Sequence, residues 1–417
     1  MNTSPAPATY ALHALADVSA LVRQRQLSPV DLVTTCLDRI ERLQPRLNAF
    51  ITVTGEAARD AAHLAESDIK AGRWRGPLHG IPVAVKDFYD TAGVKTTAAF
   101  ERFVNRVPTK DADVVAKLKD AGAIVIGKTN MDALGMATTG LQGFKGPVKN
   151  PWNADYITGG SSSGSAAAVA SGMCYATVDT DAIGSCRLPA ACCGVAGFKG
   201  TYGLISTGGI LAGEPPPDQM IVWLSHCGIT TRRVSDTALV LDVLKQPGAL
   251  SRPVDFARDM NDPRRFRIGV ATNFKADSQV AASFATAVET VSGLGHVITT
   301  VEVAFAGPQT GTRHIERDRR AVARQMFGDI DVLLLPTTTT VIPRANEASH
   351  PQALSAENTA FANYFGLPAL SVPCGFDSNG LPIGLQIVAA PSADLDVLAL
   401  GRQYERAAGW IDKRPFS

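Results

Sequence analysis

Seven short apolar runs rich in β-branched residues recur along the chain, and longer segments with helical spacing of apolar residues separate most of them. Runs of this length and composition are typical of strands buried on both faces of a sheet. Because strands that alternate with helices form a sheet covered by helices, we predict an α/β fold with one large sheet in a single globular domain. The predicted strands are 80–86, 123–128, 267–271, 297–303, 331–336, 369–373 and 383–389.

The segments between these runs carry helix signals. Ser28 is a suitable N-cap residue, Pro29 follows at the first helical position, and Asp31 favours the positive end of the helix dipole. The predicted helices are 29–43, 56–71, 111–121, 165–172, 235–245, 275–292, 316–327, 354–364 and 393–408.

Composition excludes several classes of function. The 40 lysines and arginines nearly cancel the 39 acidic residues, so we expect no nucleic-acid partner. The most apolar stretch, 165–178, contains Ser171 and Gly172 and is too short for a bilayer, and the first 18 residues lack the basic start of a signal peptide. Seven cysteines without a CxxC pair indicate reduced thiols, and we therefore predict a cytoplasmic protein without a membrane partner.

Metal and cofactor motifs are also missing from the sequence. The seven histidines form no HExxH or similar spacing, and the chain contains neither GxGxxG nor GxxxxGK[ST]. We expect neither a metal nor a cofactor.

Two segments carry hydroxyl groups in unusual surroundings. The first is "GGSSSGSAAAV" (159–169), which contains a GxSxG match centred on Ser162, but no buried strand precedes it as a nucleophile elbow requires. The second, "DAIGSCRLPAACCG" (181–194), places Ser185 after small and apolar residues, an arrangement that can turn several N–H groups towards one point. Asp181 and Arg187 have opposite charges and could brace this loop.

Two predicted strands end in lysines, Lys86 and Lys128. A lysine at this position is commonly a surface residue whose stem covers apolar surface. Ser67 and Lys70 match SxxK, but they lie in a polar helix end that is typical of solvent-exposed sequence.

These segments, together with "PVAVKD", "DVLLLPT", "LPALSVP" and "GLPIGLQIV", resemble the amidase signature family of serine hydrolases in order from about residue 10 to 410. The resemblance implies one domain with a large, mixed, twisted β-sheet covered by α-helices on both faces. It divides the chain into an N-terminal helical segment (about 10–75), a catalytic core (about 76–245), a shortened substrate-covering region (about 246–345) and C-terminal core elements (about 346–410).

The family's Ser–Ser–Lys triad, carried onto this sequence, makes Ser185 the nucleophile, Ser161 the bridging serine and Lys86 the base. A lysine that loses its hydration at a buried strand end has a lowered pKa and can accept a proton, so no histidine is needed. The resemblance also implies that N–H groups near Ala182, Ile183, Gly184 and Ser185 hold the oxyanion. Asp87 should point away from Lys86, since successive side chains of a strand alternate between faces.

Three departures from the family pattern bear on the pocket. Ile183 and Ser163 stand where glycines are usual, and the stretch between 297–303 and 331–336 is short. By resemblance, pocket residues are expected in 336–343 and among Met136, Thr138, Leu141 and Phe144, which suits a small aliphatic or aromatic acyl group. Arg317, Arg319 and Arg320 also allow an acidic acyl group, although charges on a helix are usually solvated.

The resemblance implies an amidohydrolase that cleaves a small carboxamide through a serine acyl-enzyme, and it allows a homodimer. Two alternatives remain open: the glutaminase subunit of a tRNA-dependent amidotransferase, which needs a partner subunit, and a catalytically inert docking protein on the same fold. All three triad positions hold the required residue types, which favours an active enzyme.

Overall fold

A single mixed sheet of eleven strands organises the computed structural model, which describes residues 7–216, 218–305 and 313–416. The sheet order is β1-β3-β2-β4-β6-β5-β10-β11-β9-β7-β8. The strands are β1 (Phe50–Val53), β2 (Pro82–Lys86), β3 (Ile124–Thr129), β4 (Ala176–Asp181), β5 (Ala196–Lys199), β6 (His226–Thr231), β7 (Arg267–Ala271), β8 (Val297–Val301), β9 (Val332–Pro336), β10 (Ala369–Phe376) and β11 (Pro382–Ala389).

Pairing within the sheet is both parallel and antiparallel. Strand β2 lies between β3 and β4 and runs parallel to both, while β7 runs parallel to β8 and β9. The remaining pairs are antiparallel, among them β4 with β6 and β10 with β11. Because β2 and β4 are parallel, their carboxyl ends lie at the same edge of the sheet, and this brings Lys86 close to the segment that follows Asp181.

All seven predicted strands are present, but four more were missed: β1, β4, β5 and β6. Strand β4, "ATVDTD", is fully buried although half of its residues are polar, because its polar groups are hydrogen-bonded inside the protein. Thr177 Oγ1 donates to Asp179 at 2.8 Å, and Thr230 Oγ1 from β6 donates to the same carboxylate oxygen at 2.7 Å. A search for apolar runs therefore does not detect this strand.

Thirteen α-helices accompany the sheet in the described part of the chain, and they cover both of its faces. They are α1 (Leu15–Arg23), α2 (Pro29–Leu47), α3 (Gly55–Lys70), α4 (Asp113–Asp120), α5 (Ser163–Ala170), α6 (Arg187–Cys193), α7 (Gln219–Leu224), α8 (Val234–Leu244), α9 (Phe256–Asp259), α10 (Ser278–Ser292), α11 (Ile315–Phe327), α12 (Ala360–Tyr364) and α13 (Asp394–Ala408).

The helix predictions were correct for most elements. Ser28 accepts the N–H of Val30 at 3.0 Å and caps α2, with Pro29 in the first turn, as predicted. Helices α1, α6, α7 and α9 were missed, and the predicted helix 354–364 was wrong over its first half, since α12 begins only at Ala360. The predicted division of the chain into four regions stays a prediction, and part of the short stretch, 306–312, lies outside the described residues.

Helix α5 is buried on all sides and packs against β2, β3, β4, β6 and α6. Its small residues, Ser163 to Ala170, allow this close approach. The Gly–Ser loop that precedes α5 is thereby held next to the carboxyl ends of β2 and β4.

All seven cysteines are buried and free, as predicted. In the described residues, no helix is both long and apolar enough to cross a membrane, and no group of histidine, cysteine and acidic side chains is arranged to hold a metal ion.

Candidate active site

Lys86 is the last residue of β2, and its side chain is completely buried. Its Nζ lies 2.7 Å from Ser161 Oγ and 2.9 Å from Thr180 Oγ1. A neutral amine can donate to one hydroxyl and accept a proton from another, so these two contacts suit a lysine that acts as a base. The alternative of a surface lysine is wrong for Lys86.

Burial lowers the pKa of Lys86 from 10.5 to about 8, since the charged ammonium loses its hydration, while nearby acidic groups, chiefly Asp179, oppose this effect. Asp87 does not face Lys86, as strand alternation predicts. Its carboxylate accepts the N–H and the hydroxyl of Thr97 and lies 3.8 Å from Lys128 Nζ. Lys86 therefore has no ion pair with its neighbour in sequence.

Lys128, at the end of β3, is equally buried but has a different environment. Its Nζ donates to the Tyr89 carbonyl and to Thr96 Oγ1, and burial lowers its pKa to about 8. Its hydrogen bonds and its Asp87 contact link β3 to the loop after β2 and involve no serine. Lys128 therefore has a structural environment, whereas Lys86 contacts the Gly–Ser loop.

Two backbone hydrogen bonds fix the Gly–Ser loop on either side of Ser161. The N–H of Asp132 donates to the Ser161 carbonyl at 3.1 Å, and the N–H of Ser162 donates to the Ser185 carbonyl at 3.0 Å. The second bond joins the two hydroxyl-bearing segments that the sequence singled out. Ser162 Oγ is turned away towards the Thr180 carbonyl, at 3.3 Å, and the loop is not preceded by a strand, so the structure does not form a nucleophile elbow around Ser162.

Ser185 lies in the turn between β4 and α6, with 5% of its surface exposed. Its Oγ forms no hydrogen bond with Ser161 Oγ in the described part of the chain. The residue before it, Gly184, has φ +133°, and a Cβ there would lie 2.4 Å from Thr359 Oγ1. The backbone path that presents Ser185 thus requires glycine at this position.

Asp181 and Arg187 form the predicted brace beneath this turn. Arg187 donates from Nε and Nη2 to the two Asp181 oxygens, both at 2.9 Å, and both side chains are fully buried. Burial alone would raise the pKa of Asp181, but the Arg187 guanidinium holds that pKa well below its usual value. The pair is therefore ionised, bidentate and shielded from water.

The same brace corrects one detail of the predicted oxyanion site. The N–H of Gly184 donates to Asp181 Oδ1 at 2.7 Å, and the N–H of Cys186 donates to Oδ2 at 3.2 Å. The Gly184 N–H is thus already satisfied, because Asp181 occupies the position in front of it. The N–H groups of Ala182, Ile183 and Ser185 have no acceptor in the described part of the protein, and they are available to a ligand.

Residues far away in sequence hold the brace, and sequence reasoning missed them. Arg187 also donates to Gln386 Oε1 at 2.6 Å and to Asn363 Oδ1 at 2.5 Å. Thr359 donates its hydroxyl to the Ile183 carbonyl, which attaches the turn to the segment before α12. Thr180, which contacts Lys86, was also given no role, although it directly precedes Asp181.

The other predicted pocket residues lie in several environments. Met136 is 43% exposed, whereas Thr138 is buried and donates to the Leu354 carbonyl at 2.7 Å. Ile183 and Ala182 pack against an apolar cluster that includes Leu224 and Phe361.

The three arginines of α11 do not form one anion site. Arg317 and Arg320 are largely exposed and pair with Asp318 and Glu316 on their own helix. Arg319 stacks on the Tyr202 ring at 3.8 Å and donates to backbone carbonyls, including that of Tyr364 at 2.8 Å. These contacts agree with solvated or structural roles.

Substitution of Arg187 by methionine is expected to lower the free energy of unfolding by about 3–5 kcal/mol, because Asp181 would remain as a buried charge without its partner. Urea denaturation at pH 7 measures this loss. Lys70→Met is the control, since Lys70 pairs with Glu66 on the surface and should change stability by less than about 1 kcal/mol. Equal losses for the two variants would contradict a structural role for the buried pair.

The fold and the site together define a class of hydrolase in which a buried lysine and a serine replace the usual histidine. The sequence profile of the family described as Amidase matches residues 31–306 and 306–398. The chain belongs to this family. It is accordingly an amidase-type hydrolase of carbon–nitrogen bonds, and the Ser–Ser–Lys triad and the oxyanion hole are features of the family.

Individual relatives cover almost the whole chain. A glutamyl-tRNA(Gln) amidotransferase subunit of Thiobacillus denitrificans is 33% identical over 496 aligned residues, which cover 99% of both chains. Among solved structures, 6-aminohexanoate cyclic dimer hydrolase has a TM-score of 0.81 at 27% identity and covers 97% of this chain and 99% of its own. Peptide amidase from Stenotrophomonas maltophilia has a TM-score of 0.84 at 25% identity, with 98% and 99% covered.

Proposed function

We propose that this protein hydrolyses a small carboxamide to a carboxylate and ammonia or an amine, with Ser185 as nucleophile, Ser161 as bridge and Lys86 as base. The observation that carries the proposal is the buried 2.7 Å contact between Lys86 Nζ and Ser161 Oγ. A lysine in this position is useful as a base only when it is uncharged. The lowered pKa of Lys86, about 8, provides a substantial uncharged fraction at neutral to mildly alkaline pH.

In the proposed reaction, Ser185 Oγ attacks the amide carbonyl while its proton passes to Ser161 and the Ser161 proton passes to Lys86. The carbonyl oxygen becomes an oxyanion, which the N–H groups of Ile183 and Ser185 stabilise, with Ala182 nearby. The proton then returns from Lys86 through Ser161 to the leaving nitrogen, and the C–N bond breaks. Water hydrolyses the resulting acyl-enzyme by the same proton path and regenerates Ser185.

Thr180 has a supporting role in this scheme. Its hydroxyl accepts a hydrogen from Lys86 Nζ at 2.9 Å, which leaves the nitrogen lone pair directed at Ser161 in the neutral state. The contact therefore orients the base without adding a charge.

The acyl side of the substrate is proposed to be small and apolar. Ile183 adds a branched side chain beside Ser185 and packs against the cluster of Leu224 and Phe361. Met136, which is partly exposed, is proposed to contact the substrate from the opposite segment. Neither surface offers a paired charge for a highly polar acyl group.

A panel of aliphatic, aromatic, amino-acid and urea-type amides tests the proposal when ammonia or amine release is measured for wild type and Ser185→Ala. We expect wild type to hydrolyse small aliphatic or aromatic amides and the variant to be inactive. Equal release by both proteins would exclude the proposed mechanism.

A second candidate function is the glutaminase subunit of an amidotransferase, which the amidotransferase relatives favour. This activity would use the same three residues, with glutamine as substrate and ammonia passed to a partner protein. Glutamine hydrolysis that depends on a co-purifying partner would support it. Hydrolysis of other amides by the chain alone, without such a partner, would instead support the stand-alone amidohydrolase.

The protein is further proposed to act in the cytoplasm on a small molecule. Seven buried, free cysteines are compatible with a reducing compartment. Cell fractionation with an antibody against the chain tests this location.

A further inference from the structure

A fully buried carboxylate, Asp179, lies on β4 close to the proposed base. The strands β2 and β4 pair in parallel register, with Val83 opposite Ala176 and Val85 opposite Val178. Lys86 and Asp179 are the residues that follow this last pair. Neither side chain is exposed to solvent.

The hydrogen bonds of Asp179 indicate that it carries a charge. One oxygen accepts the hydroxyls of Thr177 at 2.8 Å and Thr230 at 2.7 Å, while the other oxygen, Oδ1, has no hydrogen-bond partner within 3.5 Å. Burial raises the pKa of Asp179, and the nearby Ser165 hydroxyl and the charge of Lys86 oppose this rise. No cation lies within 4.0 Å of Asp179 in the described residues. A buried carboxylate that accepts two hydrogen bonds without a paired cation requires compensation from a charge slightly farther away.

The other acidic groups around Lys86 are already engaged. Asp181 is neutralised by Arg187 in the bidentate pair. Asp132 accepts the backbone N–H groups of Gly140 and Gln142, each at 2.9 Å. The thiol of Cys186 lies among a threonine hydroxyl and backbone carbonyls, and burial raises its pKa well above the usual value, so it carries no charge.

We propose that the Asp179 carboxylate is the counter-charge of the Lys86 ammonium and sets how readily Lys86 releases its proton. Asp179 is thus a positioning residue that acts through Lys86 and does not touch the substrate. It favours the charged lysine, which would otherwise be fully disfavoured by burial. A base whose proton is held to this degree can both accept a proton from Ser161 and return it to the leaving nitrogen.

The inference rests on the proposed function for the role of Lys86 as base, but its core can be measured without catalysis. The protein is labelled with lysine carrying ¹⁵N at Nζ, the Lys86 signal is assigned by its absence in Lys86→Met, and its pKa is followed by NMR. In Asp179→Asn, the pKa of Lys86 should fall by about one unit, because a nearby negative charge is removed while size is kept.

The control is Asp236→Asn, which removes another fully buried carboxylate, one on α8 that accepts the N–H of Ala16. This variant should leave the Lys86 pKa unchanged. Asp179→Ala serves if the asparagine variant does not fold, and it should lower the pKa in the same direction. An unchanged or higher Lys86 pKa in a folded Asp179 variant would overturn the inference.

The pH profile of amide hydrolysis gives the second readout. In Asp179→Asn, the acidic limb of the profile should move to lower pH by about the same amount as the pKa. If wild type shows no Ser185-dependent hydrolysis, the proposed function fails, and the NMR comparison still decides the role of Asp179. If hydrolysis is present but neither the limb nor the pKa moves, only the role of Asp179 is refuted.

Discussion

Substitution of Lys86 by arginine is expected to reduce amide hydrolysis at least about a thousandfold at every pH between 6 and 9. A guanidinium keeps its proton throughout this range, so it cannot accept the proton of Ser161. Wild-type activity should rise with pH through about 8, where Lys86 becomes neutral, and then stay high. Initial rates measured against pH for both proteins test this expectation. A variant that retained most of the wild-type rate with the same profile would contradict the mechanism.

Lys86→Met separates this loss from unfolding. The pKa of Lys86 is lower in the folded protein than in the unfolded chain, so the lysine destabilises the fold below pH 8, and this cost fades between pH 8 and 10.5. We therefore expect Lys86→Met to be inactive and yet no less stable than wild type at pH 7. A cooperative thermal transition at or above the wild-type temperature would show that activity was lost from an intact fold.

Ser185→Ala is the second large effect, with an expected loss of at least about a thousandfold. The alanine removes the attacking oxygen and leaves the N–H groups and the brace in place. Ser162→Ala is a matched control, because Ser162 is a buried serine of the adjoining loop whose hydroxyl points to the Thr180 carbonyl. It should retain most of the activity. Similar losses in both variants, measured as kcat/KM on the best amide, would mean that the loss does not identify the nucleophile.

The sequence was sufficient to predict Lys86 and the two loops because each signal is local. A lysine at the end of an apolar strand and a glycine–serine run before an alanine-rich helix are both recognisable within ten residues. The burial of Lys86 also follows from "PVAVK" being part of a central strand. The contact with Ser161 depended on the family resemblance, since nothing in the spacing of 75 residues specifies it.

The features that were missed share a physical cause. Strand β4 stabilises its polar side chains by hydrogen bonds across the sheet, so its sequence lacks the apolar pattern of a buried strand. Helix α6 is short and contains Pro189, which hides its helical character. Asn363 and Gln386 reach Arg187 from 176 and 199 residues away, and a single sequence carries no signal for such contacts.

The most direct test of the central claim is the pH dependence of Ser185 labelling by a fluorophosphonate, followed by intact-protein and peptide mass spectrometry. The reagent requires an activated serine but no amide substrate, so it reports on the nucleophile and its base alone. We expect a single adduct on Ser185, formed at a rate that rises with pH through about 8 in wild type and is lost in Lys86→Arg. Labelling of another residue, or equal labelling of Ser185 in Lys86→Arg, would contradict the proposed Ser–Ser–Lys site.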